Sequence, residues 1–304
     1  MSPRPRVCAA LLALVAAGCA HPGAPPTARL WIGGDVFLGP GGQRALAAIP
    51  ALVGGAPGIV NLEGPVGPVG PAPAPPGPIR LLQAPGALAE LRSAGVVVAG
   101  IANNHARDAG PGGTAATIRA LAATDVRAAG AAAGPATLTL GGLRVVVTAH
   151  DLEAGVPAGL AAELAAARRR GDVLIATFHV TGPATYLPRP ELLDAVAIAL
   201  EAGASVVAAH GTHELARVER RGRAVIAWGL GNLAFACACT DEQSGALLEV
   251  ALSPAGAGDA AIVPIDAGLD GSAAHAADDP ALTFELLEAL GAPRLRRQRD
   301  RASF

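Results

Sequence analysis

The sequence of 304 residues contains no lysine, one methionine, one tyrosine and two tryptophans. Aromatic residues make up only 3%, so no stacking platform that would favour sugars is evident and a core must be assembled from Ala, Val, Leu and Ile. Charged residues are also scarce, at 16% with a formal net charge of -2. That balance excludes a nucleic-acid binder held by many phosphate contacts. The C-terminal basic run, Arg294, Arg296, Arg297, Arg299 and Arg301, reads as a solvated tail. Cysteine is limited to four residues. Cys237 and Cys239 are one residue apart, a spacing at which a disulfide would be strained. No partners stand at zinc-clip spacing. The pair is therefore expected to serve as small core residues.

What is present begins at the N-terminus. Arg4 and Arg6 precede an apolar stretch from Val7 to Ala17, followed by Gly18-Cys19. Basic, then apolar, then small is the order of a secretory signal, and the stretch is too short to span a bilayer permanently. Cys19 directly after Ala16-Ala17-Gly18 resembles a bacterial lipobox, with ordinary signal cleavage as the alternative. Residues 1–18 are thus expected to be a lipoprotein signal and residues 19–28, rich in Pro and small residues, a tether. Either processing route puts the mature chain outside the cytoplasm, and the lipid would anchor it to a membrane at the periplasmic or cell-surface side.

Beyond the tether, short apolar runs alternate with amphipathic segments. Strands are expected at Leu30–Gly33, Ile59–Asn61, Val96–Ile101, Leu143–Thr148, Val173–Phe178, Ser205–Ala209, Ala224–Trp228 and Leu247–Leu252. Helices are expected at Gly42–Leu52, Gly86–Ser93, Gly113–Ala123, Leu160–Arg169 and Glu191–Ala202, with a last one over Pro280–Leu290. The β runs are almost continuously apolar, as strands covered on both faces are. The order predicts an α/β fold with a mainly parallel sheet, over residues 29–268, followed by a C-terminal helix and basic tail over 269–304. Gly64 to Pro78 carries neither apolar period nor charge and reads as a surface loop.

Metal-ligand chemistry falls just after the strands. Asp35, Glu63, Asn103-Asn104-His105, His179, and His210 with His213 each follow an apolar run. The crevice beyond the carboxyl ends of strands is where open α/β sheets bind ligands. Imidazole with carboxylate oxygen suits Zn, Fe, Mn or Ni without singling one out. Two such ions sharing a carboxylate can activate water and clamp an in-line displacement, while an imidazole off the metal protonates the leaving group. His150 is a rival ligand, with a structural role favoured; His21 and His275 carry no signal.

Gly34-Asp35-Val36, Asn61-Leu62-Glu63-Gly64-Pro65, Ala102-Asn103-Asn104-His105 with Asp108-Ala109-Gly110, Phe178-His179, His210-Gly211-Thr212-His213 and Gly229-Leu230-Gly231-Asn232 resemble, in order and spacing over residues 29 to 236, the CapA proteins of capsule and poly-γ-glutamate synthesis. CapA proteins are similar to calcineurin-like metallophosphoesterases. The resemblance implies a single-domain, four-layer α/β/β/α sandwich holding two divalent ions, Mn, Fe or Zn. It implies Asp35 and His213 on the first ion, Asn104, His179 and His210 on the second, and Glu63 bridging. His105 would be the general acid. Asn61 and Asn103 would support the ligands from behind, and Asn232 would position substrate or the site wall. The sequence departs from the pattern at Phe37, where metallophosphoesterases carry a histidine, at Thr212, often Pro in the family, and at Val180, where a tryptophan-like residue is usual. The implied activity is phosphoesterase-like hydrolysis of a phosphoester or envelope polymer, beside capsule synthesis or export proteins. A non-catalytic partner in polymer synthesis or export is the alternative.

Overall fold

The computed structural model describes residues 26–41, 44–68, 79–182, 185–237, 239–269 and 272–304. Cys19, the signal, and most of the Pro-rich stretch lie outside the described residues. In chain order the main elements are β1 (Ala28–Phe37), α1 (Ile49–Leu52), β2 (Gly58–Leu62), α2 (Ala89–Ser93), β3 (Val96–Gly100), α3 (Gly113–Ala123), β4 (Arg127–Ala129), β5 (Ala136–Leu140) and β6 (Leu143–Asp151). There follow α4 (Leu160–Arg170), β7 (Val173–His179), α5 (Pro190–Glu201), β8 (Val206–His210), β9 (Val218–Arg221), β10 (Ala224–Ala227), β11 (Asn232–Phe235), β12 (Ser244–Ser253), β13 (Gly256–Asp266) and α6 (Pro280–Ala289).

Two sheets form. The first runs β13-β12-β1-β2-β3-β4, with β11 also pairing β1, and the second β5-β6-β7-β8-β10-β9. Both are mixed, which corrects the expectation of a mainly parallel sheet. β1 to β4 are parallel neighbours, but β12 and β13 are a long antiparallel hairpin flanking β1. In the second sheet β6, β7, β8 and β10 are parallel and the edges β5 and β9 antiparallel. Hairpins need no covered crossover, so the chain's later half could add them by short Gly-containing turns.

Period-two alternation explains the layers. Leu30, Ile32, Val145, Val147, Val173 and Ile175 point between the sheets and form the central core. Trp31 and Val60 point outward against Leu46, Ile49, Leu91 and Leu121 of the α1–α3 side. Val146, Leu174 and Ala176 point outward against Leu160, Leu164, Leu192 and Val196 of α4 and α5. Helix, sheet, sheet, helix is the four-layer order anticipated. Helix α3 spans the expected residues. Among the described residues of the segment expected to be helical over 42–52, only Ile49–Leu52 are α-helical, and Pro50 falls in the first turn.

The C-terminus belongs to the same body. Phe284 and Leu287 of α6, with Leu295 and Ala302, enter the central core, and residues 302–303 pair with β13. The basic run is solvated as expected at Arg294, Arg296, Arg297 and Arg299, but its backbone forms a hairpin rather than a free tail, and Arg301 bonds Glu249 at 2.8 Å and the Leu52 carbonyl at 3.1 Å. Cys237 and Cys239, expected as separate core residues, are joined in a disulfide with Cα atoms 5.1 Å apart. Cys237 packs at the edge of a small cluster with Phe37 and Phe235, and Cys239 is exposed, so neither acts as a fully buried filler.

Candidate metal centre

The two sheets bring their strand ends to one rim. Asp35 lies opposite Asn61 of β2 on one side and Asn232 of β11 on the other. Asp151, His179 and His210 stand in a row at the ends of β6, β7 and β8. Glu63 follows β2, and Asn103 to His105 follow β3. Two glycines make the approach possible. A Cβ on Gly34 would sit 1.9 Å from the Gly231 carbonyl oxygen, and the Asp35 amide donates to that same oxygen at 3.1 Å. Gly211, at φ +101, lies against the His179 ring, where a Cβ would meet Nε2 at 2.9 Å. Its amide donates to Asp35 Oδ2 at 3.0 Å. His213 itself adopts φ +61, a left-handed conformation that costs a non-glycine residue of order 1 kcal/mol and is held by its surroundings.

Asp35, Glu63, His179, His210, Asn61 and Asn103 are all buried. Asn61 Nδ2 donates to Asp35 Oδ1 at 2.8 Å. Asn103 Nδ2 donates to the Leu62 carbonyl at 2.8 Å and to Asn61 Oδ1 at 3.2 Å. The carboxylate is thus fixed from behind by a short amide chain. Asp35, Glu63 and His179 each offer a ligand atom within 4.8 Å of one another, and His210 Nδ1 is 3.7 Å from Asp35 Oδ1. Glu63 Oε2 and both ring nitrogens of His179 and of His210 are buried without a hydrogen-bond partner. Buried polar atoms are normally satisfied, and an orphaned carboxylate oxygen beside four orphaned imidazole nitrogens is a set that fits a cation. The donor set fits a divalent transition metal, and these residues could hold one.

Charge coupling follows from this crowding. Burial alone would raise Asp35, but His213, then His210 and His179, hold it well below the usual carboxylate range. Burial pulls His210 down to about 4, only partly opposed by Asp35. Burial also works against charged His213, yet its bond to Asp35 and the charges of Asp35 and Glu63 push it up to about 9. His179 is raised despite burial because Glu63 lies 3.7 Å away, with Asp35 and Asp151 adding to the effect.

The residues facing solvent form an open depression of about 190 Å³ lined by Glu63, Asn104, His105, Gly211, His213 and Cys239, among others. Asn104 is exposed at its rim. His105 Nδ1 is 2.7 Å from Asp108 Oδ2, and Asp108 also accepts from the Leu81 amide at 2.7 Å. Asn232 Oδ1 is 2.8 Å from His213 Nδ1. His150 stays outside this group, 3.8 Å from Glu163. A larger cleft of about 760 Å³ lies elsewhere, beside residues 51–57 and the C-terminal hairpin. Its charged groups are partly spent on each other, as in the Arg301–Glu249 pair, and it contains no cluster of potential ligands among the described residues.

Sequence reasoning missed three contributors. Asp108 stands three residues after His105 on a turn, a spacing that could have paired them. Asp151 lies beside His179 only through strand register. Gln83, fully buried, donates to the Glu63 carbonyl at 2.7 Å and accepts from the Leu38 amide at 2.9 Å. No local signal marked it.

These features define a class: a two-sheet α/β sandwich that gathers carboxylate, amide and imidazole groups into one metal-competent rim. The model of the bacterial capsule synthesis protein family PGA_cap matches residues 45–236, and the chain belongs to that family. The match takes in Glu63, Asn104, His105, His179, His210, His213 and Asn232, while Asp35 precedes it. No curated protein sequence matches the chain. Among solved structures it is similar in fold to a hypothetical protein from Thermus thermophilus, at 15% identity, with 82% of this chain and 96% of that chain covered and a TM-score of 0.50. A Staphylococcus aureus protein provisionally described as a 5'-nucleotidase, in complex with α-ketoglutarate, gives 11% identity and a TM-score of 0.48 over 87% of this chain, which spans 58% of that structure.

Proposed function

We propose that the protein is a metal-dependent hydrolase of the bacterial cell envelope, cleaving a phosphoester or an amide-linked polymer during capsule synthesis, with poly-γ-glutamate as the polymer the family suggests. The observation that carries this reading is the group of orphaned buried atoms on Glu63, His179 and His210, set directly beneath the His105–Asp108 pair. Bound there, a divalent ion such as Mn, Fe or Zn supplies a Lewis acid that polarises the scissile group and acidifies water. The remaining work belongs to the chain. Asn61 and the Gly211 amide hold Asp35 in place. Asp108 holds Nδ1 of His105 and sets the orientation of the ring, so that Nε2 faces the depression, where it can exchange a proton with the leaving group. Asn104 at the rim can complete the ligand set.

On the same reading the mature chain works outside the cytoplasmic membrane, tethered through a lipid on Cys19, beside proteins of capsule synthesis or export. A second reading, a non-catalytic partner of those proteins, is favoured by Phe37, which stands where a ligand histidine is usual and packs on Phe235 with ring centroids 5.7 Å apart. One experiment separates the two. Purified protein is stripped, reloaded with Mn, Fe or Zn, and assayed on a chromogenic phosphomonoester, a phosphodiester and a γ-glutamyl anilide. The hydrolase reading expects turnover that chelation abolishes and that His105→Asn lowers by about 10²–10⁴-fold. Metal-loaded protein inert on all three leaves the binding-partner reading.

A further inference from the structure

The chain enters the described body at the end farthest from the metal centre. β1 begins at Ala28 and carries Asp35 near its other end, so at about 3.3 Å per residue the entry point lies about 23 Å along the strand from that carboxylate. β2, β3 and β4 run parallel to β1, and β7, β8 and β10 run parallel to β6. Because Asp35, His179 and His210 meet at one rim, these strands all start at the opposite end. Two contacts knit that end together. The turn between β5 and β6 abuts the entering chain, where a Cβ on Gly141 would lie 2.0 Å from the Thr27 carbonyl oxygen. In the β12–β13 hairpin, the Ala257 amide donates to the Arg223 carbonyl at 2.9 Å. The charge at this end is mainly arginine. Arg29, Arg127, Arg144, Arg169, Arg170 and Arg223 stand at or just before the starts of β1, β4, β6, β7 and β10, and all are exposed. Among the described residues, only Arg144 of these six has an ion-pair partner, Asp172 at 3.6 Å. An open depression of about 280 Å³ is lined by Arg168, Arg221 and Arg223 with no carboxylate in its wall. The carboxylates at this end, Asp125, Asp172, Glu201 and Asp259, are fewer. The rim is weighted the other way: Asp108, Asp151, Glu153 and Glu214 stand there besides the ligand cage around Asp35 and Glu63, against Arg80, Arg107 and Arg189.

We propose that this arginine-bearing end docks on the anionic phospholipid headgroups of the membrane that holds the lipid anchor, with the depression between Arg168, Arg221 and Arg223 receiving a headgroup phosphate, and that docking turns the metal rim away from the bilayer. The proposal rests on the envelope-lipoprotein reading for the presence of a membrane and is independent of the hydrolase reading. The tether selects a bilayer as the occupant. Residues 19–25 reach at most about 25 Å, so a lipid on Cys19 keeps the end at which β1 begins close to the membrane. Surface charges act within about a Debye length, about 8 Å at physiological ionic strength, and a short tether brings the arginines into that range. Guanidinium groups match phosphate oxygens with paired N–H bonds, and each basic side chain near an anionic bilayer strengthens binding by about fivefold. An acidic polymer would meet the same charges, but as a substrate it is delivered to the rim, whereas the tether delivers a bilayer to the end where the strands start.

The test uses the processed chain, residues 19–304 with Cys19→Ser, which holds every described residue and no lipid, so that binding reports the surface alone. Its partition onto sedimented vesicles is measured with phosphatidylcholine alone and with equal parts of phosphatidylcholine and phosphatidylglycerol. The parent chain should bind the anionic vesicles, release as sodium chloride is raised, and ignore phosphatidylcholine. Arg169→Gln combined with Arg223→Gln should weaken binding by about tenfold or more. Arg44→Gln combined with Arg107→Gln removes the same charge from loops beyond the C-terminal ends of β1 and β3, and should weaken it by less than about twofold. Thermal melts check that both pairs fold; if the Arg169 and Arg223 pair does not, Arg29→Gln with Arg127→Gln takes its place. Equal weakening by the two pairs means that net charge alone is at work and overturns the proposal. A parent chain with no preference for anionic vesicles also overturns it. Binding of soluble poly-γ-glutamate without binding of vesicles assigns the surface to an acidic polymer and overturns the membrane as its partner. Failure of lipid labelling at Cys19 removes the anchor without altering these vesicle results, so the two failures are told apart.

Discussion

Gly34→Ala tests the link between fold and centre at its narrowest point. The added methyl would lie 1.9 Å from the Gly231 oxygen, whereas ordinary contact begins near 3.4 Å. The backbone must therefore open by about 1.5 Å or the strand must rotate, since the obstructing atom is a carbonyl rather than a flexible side chain. Overpacking of this kind costs about 1–3 kcal/mol, and loss of the Asp35 amide bond to the same carbonyl adds about 1 kcal/mol. The sum, about 2–4 kcal/mol, corresponds to a fall in Tm of about 4–16 °C for a domain of this size. The displaced atoms carry Asp35 on one side and Asn232 on the other, so metal retention should fall as well. Gly86→Ala is the control: a Cβ there meets nothing within 4 Å, and the substitution should leave stability within about 0.5 kcal/mol of wild type. Thermal melts of metal-free protein with metal analysis of the loaded form give both readings. If Gly34→Ala melts with Gly86→Ala and keeps its metal, the close approach of β1 to the Gly231 turn does not hold the centre together.

Other expectations follow from single contacts. Asp108→Asn removes the charge beside His105 Nδ1 but no metal ligand, so turnover should drop about 10²-fold with metal content unchanged; equal loss of both would make Asp108 a prop for the cage. The metal-free protein should be most stable near neutral pH. His213, raised to about 9 in the folded state, adds stability that is complete below its unfolded value of about 6.5 and lost as pH climbs through 9. His210, lowered to about 4, withdraws stability as pH falls from about 6.5 to 4, because the unfolded chain takes up a proton that the folded one refuses. Melting temperatures at pH 5, 7 and 9.5 check this, and a monotonic trend refutes it. Metabolic labelling with a lipid precursor should mark wild type and miss Cys19→Ser; label on both removes the anchor.

Much of the fold was legible because its strands are short apolar runs and its helices amphipathic, so β2, β3, α3, β7 and β8 stand where periodicity puts them. The edge strands were harder. β5, Ala136–Leu140, has alternating burial, and β9, Val218–Arg221, is charged on three of four positions; both lack a continuous apolar signal because an edge strand is not enclosed on every side. The site's polar residues announced themselves by following apolar runs. The amide chain behind Asp35 was anticipated only by resemblance, and Gln83 not at all, since a buried glutamine bonding two backbone groups leaves no pattern in the sequence. The disulfide was misread for a related reason: the spacing of Cys237 and Cys239 describes their separation along the chain and not the turn that carries them.

The centre shows why both sheets are needed. One supplies carboxylates and amides, with Asp35 held by Asn61 of its own sheet and by the Gly211 amide at the end of β8 in the other. The other supplies the imidazoles of His179 and His210, whose buried nitrogens have no hydrogen-bond partner. An orphaned buried polar group costs about 1–3 kcal/mol, and the cage contains several, so the metal-free protein carries a cost that neither sheet can relieve alone. A ligand that binds only the folded state repays this through RT ln(1 + [L]/Kd). On the metal-dependent reading, folding and metal capture are linked equilibria. Glu63 is expendable for packing, and its orphaned buried oxygen weakens the fold. A hydrophobic substitute there would remove a buried charge and leave the sandwich intact, while deleting a carboxylate from the group of potential ligands that Asp35, Glu63 and His179 form.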